Sequence, residues 1–351
     1  MRRDPVFVLH GFYGAGNFGD DWLLAATIAA LTRIAPGARF IVRDLGDPVA
    51  MPPDPAVAFS GALAVLGDQR LPKPARVLRY LAEAWRQLRG KDWLVFGGGT
   101  QFHSERRAAT LALNAALCLM ARARGVRVAA LGVGVKGIEG PWARALLRVI
   151  VGSARLFAVR DAHSQALAGP RAVLGADLAF TAPMPPPARR GEAVALAVYP
   201  PAWSDRLAEA LVSAVEGRGV VLLEVQCSGA TAGDGPCLAT LAARLPAARR
   251  RRLTHDAEGL SGVGLVCGMR FHALLAAAQA GLPFVGIAHD PKIADLCARF
   301  AMPCLDPGAV TAARLADAIA EAGSRLPSPE AMARCRAEAE RALDAFAEAM
   351  A

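Results

Sequence analysis

The chain has 351 residues, enough for about two domains at roughly 150 residues each. Hydrophobic residues make up 54% and charged residues 20%, which excludes a disordered chain. The net charge of +9 sets 40 basic against 31 acidic residues, and all but four of the basic ones (Lys73, Lys91, Lys136 and Lys292) are arginine. That balance suits anionic substrates, and with no basic stripe interleaved with aromatics it is not a nucleic-acid signature.

In chain order, residues 6–10 read as a strand, 20–34 as a helix, 39–44 as a strand and 75–89 as a helix. A strand and glycine loop follow at 93–99, a helix at 104–125, and strands at 126–135 and 155–161. Near-continuous apolar strands alternating with amphipathic helices predict a parallel sheet covered on both faces. The proline-rich stretch 182–191 can continue neither element and reads as a linker. The alternation then restarts with strands in 193–200, 220–226, 264–268 and 283–290 and helices in 205–219 and 271–281, and ends in a helix from residue 329. The expected fold is α/β: two Rossmann-like, doubly wound parallel-sheet domains over residues 1–183 and 192–325, with a C-terminal helix in 326–351.

No apolar run reaches the ~18 residues of a membrane span, and the short VFVL run at the start is too brief for a signal peptide. Seven scattered cysteines without a CxxC pair fit reduced thiols in a cytoplasmic protein and argue against a zinc site; no metal is expected.

Four segments carry chemistry. In HGFYGAGNFGDD, residues 10–21, Gly14, Gly16 and Gly19 spell GxGxxG between a strand and a helix, and Asp44 ends the next strand. Asp20 and Asp21 at the helix start would repel a pyrophosphate. The segment is therefore a capped tight turn, a dinucleotide site, or an active-site loop in which Asn17 and Asp20 meet a substrate. In FGGGTQFHS, residues 96–104, Gly97, Gly98 and Gly99 can let a ligand approach the backbone or form an anion nest, with His103 as a further donor. The bland alternative is a sharp strand-to-helix turn with Ser104 as N-cap. In FAVRDAHS, residues 157–164, Arg160 ends a strand and can clamp a carboxylate or phosphate, or pair with an Asp to tie down the loop. In residues 264–292, two strand ends deliver Arg270, His272, His289, Asp290 and Lys292 to one sheet edge. A helix N-terminus disfavours the imidazolium, which leaves His272 able to accept a proton. Lys292 is a compact cation suited to a phosphate.

These segments, with GADLAF at 175–180, occur in an order that resembles the polysaccharide pyruvyl transferase family over roughly residues 5–300. The resemblance implies a GT-B-like fold and phosphoenolpyruvate as donor substrate, with no separate cofactor. The product would be a pyruvate ketal on two hydroxyls of a cell-surface sugar, a modification that in some bacteria anchors surface-layer proteins. It implies His272 as the catalytic histidine, Arg160 and Lys292 as donor-associated basic residues, and Asn17 and Asp20 as the N-terminal loop; His289 stands where the family often has an aromatic. Arg270 is expected to add a third cation. Expected partners are phosphoenolpyruvate and a nucleotide- or lipid-diphosphate-linked glycan, handled in the cytoplasm or at the inner membrane face, where the arginine-rich surface suits anionic lipid. The competing readings are a GT-B glycosyltransferase using a nucleotide sugar and a non-catalytic binding protein.

Overall fold

The computed structural model describes residues 3–47, 49, 51, 54–104, 109–227 and 233–351. The chain forms two compact units. Unit 1 comprises Met1–Ala15, Asp20–Ala182 and Cys335–Ala351, and unit 2 comprises Gly16–Gly19 and Pro183–Arg334. The main crossing thus falls at the head of the proline-rich stretch, and the last helix is not a unit of its own.

Unit 1 contains β1 (Val6–His10), β2 (Arg39–Arg43), β3 (Val57–Phe59), β4 (Trp93–Gly97), β5 (Phe102–His103), β6 (Arg127–Val133), β7 (Val135–Lys136), β8 (Leu156–Val159) and β9 (Val173–Leu174). All but β5 and β7 form one parallel sheet in the order β3-β2-β1-β4-β6-β8-β9. Helices α1 (Phe18–Ile34), α2 (Lys73–Gln87), α3 (Ala109–Ala123), α4 (Gly140–Ser153) and α5 (Ala162–Ala168) lie between the strands in sequence. The central strands β1 and β4 are buried at every residue, as their unbroken apolar runs require.

Unit 2 contains β10 (Ala193–Ala197), β11 (Val220–Glu224), β12 (Arg249–Arg252), β13 (Val263–Gly268), β14 (Phe284–Ile287) and β15 (Cys304–Leu305). They form a parallel sheet in the order β12-β11-β10-β13-β14-β15, the doubly wound arrangement with its switch point between β10 and β13. Its helices are α6 (Asp205–Ala214), α7 (Gly235–Arg244), α8 (Phe271–Gln279), α9 (Pro291–Arg299) and α10 (Ala312–Gly323). The expected α/β fold with two Rossmann-like sheets is the observed one.

The last helix, α11 (Pro329–Met350), shows why its end belongs to unit 1. Phe346 is fully buried, with its ring centroid 4.9 Å from Trp93 and 6.4 Å from Phe7. Burying a phenylalanine contributes about 1.5–3 kcal/mol, enough to fix where a terminal helix docks. The expected N-cap role of Ser104 falls on amides outside the described residues; among the described ones its hydroxyl donates to the Gly137 carbonyl and accepts from the Glu139 amide, extending the β5–β7 ladder. The first turn of the helix expected from residue 104 falls on 105–108, outside the described residues, and α3 is described from Ala109. The arginine run 249–252, which no apolar pattern marks, is the edge strand β12, where charge discourages further pairing. Among the described residues, no helix is long and apolar enough to cross a membrane.

Candidate functional site

In unit 2 the polar residues gather past the carboxyl ends of β10, β13 and β14, at the switch point of the sheet. Chain leaving β10 supplies Tyr199, chain leaving β13 supplies Arg270 and His272, and chain leaving β14 supplies His289, Asp290 and Lys292. Arg270 stands just before α8 in an extended conformation, and His272 is the second residue of that helix. Asp290 caps α9 by accepting the Lys292 amide at 3.2 Å. The His289 ring stacks on Tyr199 at 4.4 Å between centroids, and the Arg270 guanidinium lies over the other partner of that stack, 4.8 Å from the Tyr199 centroid.

Arg270 differs from the expected free cation. It is 9% exposed, its Nε donates to the Val198 carbonyl at 3.1 Å, and its Nη2 bonds the fully buried Asp234 carboxylate. Asp234 in turn accepts the Val225 and Gln226 amides through its second oxygen at 3.0 and 2.9 Å. This arginine is tied into the frame of the site. The Lys292 side chain is 25% exposed, with its ammonium 3.8 Å from Asp290 and 6.0 Å from the Phe271 ring centroid. His272 and His289 are half-buried.

The segment Gly16–Gly19, although it comes from the start of the chain, builds the same site. The Phe18 amide donates to the Val225 carbonyl and the Cys227 amide to the Gly16 carbonyl, both at 2.9 Å, and Asn17 bridges Gln226 in antiparallel fashion. Asn17 turns its side-chain oxygen onto the Gly19 amide at 2.9 Å. Gly19 then lies against the imidazole of His272 so closely that a Cβ there would overlap Nδ1 and Cγ. The glycine is required by the histidine, not by a phosphate. Phe18 also packs against His255, 5.0 Å between centroids.

Unit 1 places its motifs at the carboxyl ends of β1, β4 and β8. Arg160 is 6% exposed; its Nη1 bonds Asp177 at 3.1 Å, its Nη2 donates to the Thr100 hydroxyl at 2.6 Å, and its Nε lies 3.5 Å from Asp161. Asp161 caps α5 by accepting the Ser164 amide at 2.7 Å. Gly98 and Gly99 hold φ of 69° and 73°, which favours glycine. The anion-nest reading of this loop is corrected at Gly98: its amide donates to the Leu131 carbonyl at 2.8 Å, and its carbonyl accepts Gln101 Nε2 at 2.6 Å. The Gly97 carbonyl accepts the Tyr13 hydroxyl at 2.6 Å. Burial, reinforced by the nearby Asp20 carboxylate, pushes the Tyr13 phenol well above its usual range and keeps it a donor. Asp20 itself lies beside Gly99.

The dinucleotide reading fails on Asp44. One of its oxygens accepts the Ser60 and Gly61 amides at 3.0 and 2.6 Å, and the other accepts Gly46 at 3.1 Å, so the carboxylate anchors a loop. Asp21, 1% exposed, faces the Gly14 amide at 3.4 Å. His10 is also structural: Asn114 Nδ2 donates to the Gln101 carbonyl, so the Asn114 oxygen faces His10 Nε2 and accepts its proton. Burial, with the Arg43 charge, pushes its pKa down to about 3.

Sequence reasoning missed Asp234, Asp177 and Tyr199. Tyr199 could have been found from its place just past a strand end. Asp177 lies in GADLAF, a segment the family resemblance marks but gives no role, and Asp234 carries no mark; only the fold brings them to Arg160 and Arg270.

No curated protein matches the chain. Among solved structures, UDP-GlcNAc 2-epimerase from Methanocaldococcus jannaschii is similar at 9% identity and TM-score 0.63, covering 98% of this chain and 99% of that one. A putative UDP-N-acetylglucosamine 2-epimerase from Listeria monocytogenes gives 9% identity and TM-score 0.62, with 99% and 96% covered. Anabaena Alr3699/HepE in complex with UDP-glucose gives 15% identity and TM-score 0.55, with 99% and 97% covered. At these identities the likeness speaks for the fold, which is GT-B-like. Polysaccharide pyruvyl transferase is the family whose model matches residues 17–291, from the loop that carries Asn17 to the turn that opens α9, and the chain belongs to that family.

Proposed function

We propose that the protein transfers the pyruvyl group of phosphoenolpyruvate to a sugar of a cell-surface glycan, forming a pyruvate ketal on two hydroxyls. The observation that carries this reading is the placement of His272, His289 and Lys292 past the carboxyl ends of the neighbouring strands β13 and β14, in a chain of this family. Phosphoenolpyruvate is a small dianionic or trianionic donor, and Lys292 supplies a partly exposed ammonium for its phosphate or carboxylate. Arg160, braced by Asp177, is assigned to the same donor through the family resemblance.

The chemistry needs a proton carrier. C3 of the donor gains a proton and becomes a methyl group, which places positive character on C2. One sugar hydroxyl attacks C2, the C2–O bond to phosphate breaks, and the second hydroxyl closes the ketal. The two hydroxyl protons account for the one gained at C3 and the one carried by the departing phosphate. His272 is the group to move them, with Gly19 leaving room for its ring and Arg270–Asp234 fixing the start of its helix. Asn17, Asp20, Gly99 and His289 are assigned to substrate contact, and Gly97 and Gly98, whose backbone groups bond the protein itself, to the turn that presents Gly99. The acceptor is a sugar linked to a nucleotide or lipid diphosphate, and the reaction belongs in the cytoplasm, where phosphoenolpyruvate is available.

The second reading is a glycosyltransferase that uses a nucleotide sugar. It is favoured by one observation, that solved structures of similar fold were obtained with UDP, UDP-glucose and UDP-GlcNAc. Phosphate release from phosphoenolpyruvate, measured against a panel of diphosphate-linked sugars with mass spectrometry of the product, separates the two. The expected result is acceptor-dependent phosphate release and a product heavier by one pyruvate ketal. Turnover of a nucleotide sugar with indifference to phosphoenolpyruvate would establish the second reading instead.

A further inference from the structure

The amino-terminal ends of strands in the unit 1 sheet border a concavity that none of this chemistry uses. Where the chain leaves α3 and α4 and enters β6 and β8, it surrounds a cavity of about 390 Å³, a volume in the range of small-molecule sites. Its ten lining residues include Arg122, Arg127, Arg155 and Arg171, and none is acidic. Over the whole chain basic residues outnumber acidic ones only 40 to 31, so this wall is not a sample of the composition.

The four guanidinium groups have unequal duties. Arg122 sits in the last turn of α3, where a cation complements the helix dipole, and its Nη1 donates to the Gly152 carbonyl at 3.4 Å. Arg127 lies over the Trp93 ring, 4.4 Å from its centroid. Arg155 and Arg171 are exposed, and among the described residues neither side chain makes a hydrogen bond or ion pair. Like charges held around one hollow repel each other, and an anion placed there reverses the sign of that interaction.

We propose that this groove is a second anion site that takes a diphosphate group. Arg155 and Arg171 grip its oxygens as forks, and Arg127 closes the wall. The volume exceeds what one phosphate fills, and separate guanidinium groups around it suit two linked phosphates. The site lies one strand length, roughly 16 Å, from the Arg160 end of β8. A ligand there leaves the strand carboxyl ends uncovered, so it acts as an effector or an anchor and not as the reacting group. The diphosphate of a soluble nucleotide and that of a lipid carrier present the same chemistry to these arginines.

The test is calorimetric titration of the full chain with inorganic pyrophosphate at low and at high salt. Binding is expected to weaken with salt, to fall at least ~10-fold in the Arg155→Ala/Arg171→Ala double variant, and to persist in Lys292→Ala. Both arginines are exposed, so the double variant should keep the parent unfolding midpoint and its basal turnover. Displacement of pyrophosphate by ADP marks a soluble nucleotide as the source, and displacement only by vesicles carrying a prenyl diphosphate marks a lipid carrier; either supports the site. The proposal is overturned if pyrophosphate does not bind, if the double variant binds it as the parent does, or if Lys292→Ala abolishes binding.

Discussion

Arg160 in unit 1 and Lys292 in unit 2 both stand just past the carboxyl end of a strand, yet their surroundings differ. The Arg160 side chain is 5% exposed and contacts two carboxylates and a hydroxyl. Lys292 is 25% exposed and shares a looser pair with the cap of its own helix. Within unit 2 the same division recurs between Arg270, buried against Asp234, and His272, which faces a glycine. A strand end brings charge to a site, but a carboxylate from a distant segment decides whether that charge is buried as part of the frame or stays partly exposed. Arg270 and Asp234 are 36 residues apart and Arg160 and Asp177 are 17 apart, so no local pattern announces either pair.

The comparison breaks most sharply at Asp234. Asp234→Ala leaves Arg270 buried without its carboxylate and should destabilise the protein by about 3–5 kcal/mol, read from urea unfolding. A variant as stable as the parent would mean that Arg270 is not part of the frame. His272→Ala should do the reverse: it should lose at least ~10²-fold in turnover with an unchanged unfolding midpoint, and near-parental pyruvyl transfer would remove His272 from the mechanism. Gly19→Ala sharpens the contrast further. The added methyl must displace the His272 ring, so kcat should fall roughly 10-fold while KM for the donor, which the proposed function assigns to Lys292, moves much less.

The effect that is smallest near neutral pH concerns His10, which ends up in a structural role. His10 has a folded pKa of about 3 against an ordinary 6.5, lowered by burial first and by Arg43 second. The unfolded chain therefore takes up a proton at this position before the folded protein does. The stability His10 contributes is present above about pH 6.5 and is lost as pH falls toward 3. His10→Gln, which keeps a donor for Asn114, should make the acid limb of a stability–pH curve shallower and leave the pH dependence of turnover near neutrality where it was. Movement of the turnover profile would give His10 a part in the chemistry.

Much of the candidate site was legible early because glycines, arginines and histidines at strand ends stand out against apolar runs. The segment 264–292 could be read as two strand ends delivering five polar residues to one edge, and unit 2 delivers them there. The loop 10–21 was legible only in part. Its glycines left a capped turn, a dinucleotide site and an active-site loop open; Asp44 holds a loop, and Gly19 makes room for an imidazole more than 250 residues away. The GGG turn likewise spends the Gly98 amide on a neighbouring strand.

The sequence by itself determined the two parallel sheets, the break between them and the family, because periodicity and short motifs are local and survive without coordinates. Tertiary structure alone decided that residues 16–19 complete unit 2, that the last helix returns to unit 1, and which cations are neutralised. It also gathered Arg122, Arg127, Arg155 and Arg171, from three separate stretches of chain, around one hollow. The physical reason is range: backbone and side-chain preferences act over a few residues, while burial and ion pairing act between whatever surfaces the fold brings together.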